Sequence, residues 1–203
     1  MDKLVSTARI IDRIFRIVSV LLTIALIACA VGLGIIGAAK IFDLPTEMVG
    51  SVDGQLSFGA LTLHVAEGAL PAFDTMLLHM AVMLVMGIGV AIIAKLCVRT
   101  IRQALAPMTR GEPFHSEVSG HLRKLGWLSL ILGLAAQIME AVSMLTIAAM
   151  YRLDQLLISD RIYMVEVAPS LDLSILIAPA VFFLLAYVFK YGAELQTLSD
   201  ETL

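Results

Sequence analysis

Glu140 is the residue best placed to do chemistry in this 203-residue chain. It lies in the middle of an apolar run, between Gln137 and Ser143, and steps of three put all of them on one stripe of a helix. A carboxyl group in hydrocarbon is expensive, so it faces a helix bundle's interior, finds a partner or stays protonated. Two readings follow. Glu140 is either a ligand, ion or proton site, or a structural polar lock bonded to a neighbouring helix through a group such as Gln137 or Thr23.

A second set is Met76, Met80, Met83 and Met86, with His79 beside them. Thioether and imidazole suit a soft metal such as Cu(I). Methionine also fills irregular packing gaps, and no cysteine or second histidine joins the set at close spacing. The packing reading is the one adopted, so neither metal nor cofactor is expected. His64, His115 and His121 show no ligand spacing. The chain has no G-x-S-x-G, no H-E-x-x-H, no phosphate-cradling glycine loop and no paired carboxylates beside a nucleophile, so it is not expected to be an enzyme.

The third set is basic. Between Ala91 and Leu134, two apolar runs flank Lys95, Arg99, Arg102, Arg110, Arg123 and Lys124, with the turn Gly111-Glu112-Pro113-Phe114 among them. Gly111 and Pro113 shape that turn, and Phe114 can staple it by packing on a nearby apolar residue. Glu194, near the end of the chain, has the right sign to pair with Arg102, Arg123 or Lys124. Together these residues make a surface able to receive a protein partner. The alternative is that they only stabilise the inner ends of the helices.

The elements that carry these residues are set by composition. The chain is 60% hydrophobic and 15% charged, with a mean hydropathy of +0.95. Soluble domains are about 45–50% apolar, and here the apolar residues fall in long runs. Residues 17–39, 75–98, 125–150 and 173–189 are each of the order of the ~20 apolar residues that cross a bilayer as a helix. Lipid offers backbone groups no partners, so each span must be helical. The first run is longer than the about 7–15 residues of a signal-peptide core and is read as a retained span. Cys29 and Cys97 fall in or beside spans and are read as small apolar residues, not as a disulfide. Pro179 is expected to kink the fourth span. Gly32, Gly34, Gly37, Gly87 and Gly89 are expected to let helices approach closely.

Charge orients the chain. Lys3, Arg9, Arg13 and Arg16, the central segment 99–124 with Lys95, and Lys190 carry most of the cations. The loops 40–74 and 151–172 hold only Lys40, Arg152 and Arg161, among many acids. By the positive-inside rule both termini and the central hairpin are cytoplasmic. No basic block suggests direct nucleic-acid binding. Residues 1–16 read either as a surface helix or as a helical extension of the first span. Trp127 falls at headgroup level. In the first outer loop, Gln55–Phe58 and Leu61–Val65 alternate apolar and polar residues around Gly59-Ala60, a hairpin signature. Arg161–Val167 reads as a third strand. The expected fold is an all-α membrane protein of one domain, a four-transmembrane-helix bundle with a small extracytoplasmic β-sheet cap.

Two motifs bring a family into view. Gly111-Glu112-Pro113-Phe114 followed by Leu122-Arg123-Lys124-Leu125-Gly126-Trp127 resembles the "GEPF … RKIGW" signature of bacterial domain-of-unknown-function family 2975. Val188-Phe189-Lys190-Tyr191-Gly192-Ala193-Glu194-Leu195 resembles that family's "F-x-x-G-A-E-L" close. The sequence departs at His115-Ser116-Glu117-Val118, where the family has a Thr/Ser-Glu-Glu-Asn run. The resemblance implies a multi-pass protein of the bacterial cytoplasmic membrane without established activity. It also implies association with a cytoplasmic helix-turn-helix regulator, which the family's genomic setting suggests. The expectation is therefore a non-enzymatic membrane sensor or regulator acting through a cytoplasmic partner. The competing expectations are a small transporter or immunity-type protein built on Glu140, and a subunit of a larger membrane assembly. A homo-oligomer is compatible with each.

Overall fold

The computed structural model of the protein describes residues 2–42, 54–58, 61–65, 72–109, 116–152 and 171–201. Four long helices account for most of them: α1 (Asp2–Ile41), α2 (Phe73–Thr109), α3 (Ser116–Met150) and α4 (Ile177–Glu201). Each includes a stretch long and apolar enough to cross a membrane. The strands β1 (Gly54–Phe58) and β2 (Leu61–Val65) pair antiparallel, with Gly54 opposite Val65 and Phe58 opposite Leu61. The expected turn at Gly59-Ala60 and the expected third strand at Arg161–Val167 lie outside the described residues.

The helix ends follow from local chemistry. α1 is a single helix of 40 residues, about 60 Å long at ~1.5 Å per residue. The basic N-terminal stretch is thus a continuation of the first span and not a separate surface helix. α2 starts where the Ala72 carbonyl accepts from the Thr75 and Met76 N–H groups, at 2.9 and 3.2 Å. Asp74 lies in its first turn, where a negative charge meets the helix dipole favourably. α2 runs two residues past Pro107, to Thr109. The ring removes one backbone bond so near the helix end that the last turn survives it. α3 ends as the Tyr151 N–H bonds the Ile147 carbonyl and Arg152 turns to a φ of 47°, a left-handed residue that cannot continue the helix.

A short 3-10 turn, Leu173–Leu176, leads into α4. Its N-cap is Asp172, whose carboxylate accepts from the Ser174 N–H at 2.9 Å and the Ser174 hydroxyl at 2.7 Å. Pro179 therefore falls in the first turn of α4, where its missing N–H would have had no partner in any case. The mid-span kink expected of it has no basis at that position. The C-terminal motif Val188–Leu195 is part of the same helix and not a separate tail.

The chain divides into two compact units. The first comprises Met1–Ala28, Gly87–Ile138 and Leu171–Leu203, and the second comprises Cys29–Met86 and Met139–Ser170. In the first unit, Val118 and Leu122 of α3 bury against Ala186 of α4, with Phe182 and Phe189 packed around them. Cys97, Val98, Thr100, Ala104 and Pro107 are buried on α2. Thr100 satisfies its hydroxyl on the Leu96 carbonyl at 2.9 Å. Gly126 lets the Phe183 ring lie on the α3 backbone, since a Cβ there would stand 2.8 Å from the ring. Trp127 meets the same ring edge-on, with centroids 5.5 Å apart.

In the second unit, Gly32 faces the Leu84 side chain, 3.2 Å from where a Cβ would stand. Gly34, Gly37, Gly87 and Gly89 have nothing within 4 Å, so close approach at these sites rests on Gly32 alone among the glycines expected to provide it. Ile24 and Ile27 on α1, Leu78 and Val85 on α2, Ile131 and Leu134 on α3 and Leu184 on α4 are all exposed. Water does not tolerate apolar surface on this scale. Hydrocarbon does, and a multi-pass membrane protein is the architecture that places it there.

Candidate functional site

Five of the basic residues line two grooves of the first unit. One, of about 620 Å³, runs between the start of α3 and α4 from Phe183 to Thr197. Ser119, Gly120 and Arg123 line its α3 side, and Phe183, Tyr187, Lys190 and Glu194 are on its α4 side. Two residues named from the sequence, Arg123 and Glu194, thus share one groove although 71 positions separate them. Glu194 does not pair with Arg102, Arg123 or Lys124 as expected. Its partner is Lys190, one helical turn away on α4, at 3.8 Å. Both side chains are well exposed, so the pair is worth little. Arg123 and Lys124 are exposed as well.

The second groove, of about 490 Å³, lies between α1 and α2. Lys95, Arg99 and Arg102 line it from α2 at helical spacing, and Ser19 and Leu26 face them from α1. Arg102 is taken up by Asp12 of α1, Nε to carboxylate at 2.8 Å. Asp12 also holds Arg16 at 3.3 Å. Lys95 donates to the Thr23 hydroxyl at 3.0 Å, and that hydroxyl donates to the Ser19 carbonyl at 2.8 Å. Arg102 therefore ties two helices together. Gly111, Glu112, Pro113 and Phe114, the remaining members of the expected partner surface, lie outside the described residues.

The polar stripe on α3 does not act as one group. Gln137 donates its amide to the Asp172 carbonyl at 2.6 Å, fixing the start of the fourth helix. Thr23, the other candidate lock, serves Lys95. Glu140 is exposed, and among the described residues nothing bonds to it. Ser143 is half-buried, and its carbonyl accepts from the Thr146 hydroxyl at 3.0 Å. That hydroxyl also lies 2.6 Å from the Val142 carbonyl and 2.8 Å from His79 Nδ1. A hydroxyl has one proton, and with it directed at the carbonyls the oxygen is left to accept from Nδ1–H of His79. His79 thus has a hydroxyl partner. Met80 is exposed, while Met76, Met83 and Met86 are half-buried.

Asp12 and Tyr187 are what reading the sequence by charge runs overlooks. The signal for Asp12 is that it is an acid inside a basic segment, four positions before Arg16. Lys95 was counted with the orienting charges, although the apolar run Ala81–Ala94 places it deeper than Arg99. No family model matches the chain, and no curated protein or solved structure is significantly similar to it.

Proposed function

We propose that the protein is a non-enzymatic sensor or regulator of the bacterial cytoplasmic membrane, with both termini and the basic hairpin in the cytoplasm. On this reading the β1–β2 hairpin belongs to an outer cap that receives the stimulus. The inner ends of α3 and α4 engage a cytoplasmic partner. The resemblance to domain-of-unknown-function family 2975 makes a small helix-turn-helix regulator the partner to look for first. The observation that carries the reading is the α3–α4 groove. It gathers Arg123, Lys190 and Glu194 over an aromatic floor of Phe183 and Tyr187, the mixture of rigid aromatic and charged groups that protein partners use. The Lys and Arg distribution supports the orientation.

The test is a photo-crosslinking residue in place of Thr197, at the groove's edge, in the full chain in cells. An adduct with a cytoplasmic protein is expected, and Arg123→Glu should abolish it. Adducts with lipid alone, or a protein adduct indifferent to Arg123→Glu, would contradict the reading.

One observation favours the second reading, a small transporter or immunity-type protein. Glu140 is exposed within an apolar span and has no partner among the described residues. Such a carboxyl in lipid calls for a counter-group from outside the chain. Sensitivity of cells to ions or toxic peptides should then change with Glu140→Gln, and an unchanged phenotype removes that carboxyl from the mechanism.

A further inference from the structure

The α1–α2 groove holds more positive charge than the protein neutralises. Three cations line it, at positions 95, 99 and 102 of one helix. Asp12 compensates Arg102 at 2.8 Å. Lys95 has only the neutral hydroxyl of Thr23 at 3.0 Å, and among the described residues no carboxylate lies within 4 Å of Lys95 or Arg99. An ammonium at the edge of a hydrocarbon layer needs a counter-ion or a path to water. Arg99 stands one turn, about 6 Å, nearer the membrane surface than Lys95. The groove's other lining is apolar: Leu96 stands beside Lys95, and Ile92 of α2 and Leu26 of α1 lie deeper, with Ile92 and Leu96 exposed.

We infer that this groove binds an anionic glycerophospholipid of the leaflet in which Arg99 and Arg102 lie. The lipid phosphate sits between the Arg99 guanidinium and the Lys95 ammonium, and an acyl chain runs along Ile92, Leu96 and Leu26. The polarity of the groove matches that of the lipid from end to end. A guanidinium offers a phosphodiester two parallel N–H donors, and the lysine adds a point charge. Basic pockets between helices at headgroup level have this use in general. A zwitterionic lipid brings its own ammonium, which cancels the charge the groove needs to neutralise. The α3–α4 groove is less suited, because Glu194 already stands beside Lys190 there. The inference requires the four spans but no cytoplasmic partner, and it is tested on the purified chain, so it and the sensor reading can fail separately.

The test is native mass spectrometry of the delipidated full-length protein in a neutral detergent, with phosphatidylglycerol or phosphatidylcholine added. Phosphatidylglycerol should be retained about tenfold more strongly, the order expected of one charge-assisted contact. Lys95→Gln with Arg99→Gln should bring it down to the phosphatidylcholine level. Lys95→Arg with Arg99→Lys should keep the preference, and it guards against a variant that merely misfolds. Lys40→Gln, a cation that lines neither groove, should change nothing. Equal retention of the two lipids would overturn the inference, as would loss on Lys40→Gln but not on the double substitution. Displacement of the lipid by millimolar inorganic phosphate would overturn it too, because the site would then belong to a soluble anion.

Discussion

Gly126 shows how a single hydrogen atom sets a helix contact. With no side chain at Gly126, α3 accepts the Phe183 ring, three of whose carbons would stand 2.8 to 3.0 Å from a Cβ there. An aromatic ring is not a flexible chain end and cannot swing aside. Gly126→Ala should cost about 1–3 kcal/mol, the usual range for overpacking, measured by unfolding in mixed micelles. Gly34→Ala, with nothing within 4 Å, should be neutral or gain up to about 1 kcal/mol from helix propensity. The sequence marked Gly34 and passed over Gly126, because a glycine says that close approach is allowed, not that a neighbour uses it. Asp172 carries a second expectation at this scale. Hydrogen bonds from the Ser174 hydroxyl, then from its N–H, hold its carboxyl below the usual aspartate value. A lowered carboxyl stabilises the folded form above the unfolded group's pKa and loses that contribution as the pH falls through the lowered value. The hydrogen-exchange protection factor at 173–178, taken against the intrinsic rate at each pH, should therefore be highest at neutral pH and fall in acid. Asp172→Asn should flatten the dependence, and an unchanged profile in that variant would remove the cap from the account.

Pairs of helices are joined by polar contacts that periodicity does not reveal. The apolar runs showed where the four helices would be, because length and composition alone decide whether a segment can span lipid. They did not show which side chains meet. Asp12 and Arg102 are 90 positions apart, and Gln137 reaches a backbone carbonyl that no residue type announces. Pro107 and Pro179 carry the same lesson. A proline's effect depends on its distance from the helix end, which a sequence gives only to within a few residues. The Asp12–Arg102 contact lends itself to a double-mutant cycle. Its side chains are 25% and 37% exposed, so screening limits the coupling to about 0.5–1 kcal/mol. Asp12→Asn and Arg102→Gln should each destabilise, and the pair together by less than the sum. Strict additivity would mean that the contact contributes nothing to holding α1 against α2.

For the molecule as a whole, two distributions matter: apolar residues outward along the helices, and cations gathered toward one set of helix ends. The first was legible from composition. The second was legible only as a count, and the structure turns that count into two grooves with different chemistry, one shared by Arg123 and Glu194 and one by Lys95 and Arg99. The most direct test is the sidedness of the chain. In a background of Cys29→Ala and Cys97→Ala, single cysteines at Ser119, Asp154 and Thr197 would be exposed to a membrane-impermeant maleimide on intact cells. Asp154→Cys should label at once, and Ser119→Cys and Thr197→Cys only after the cells are opened. Labelling of Thr197→Cys or Ser119→Cys in intact cells, or protection of Asp154→Cys, would contradict a chain that crosses four times with its basic ends inside.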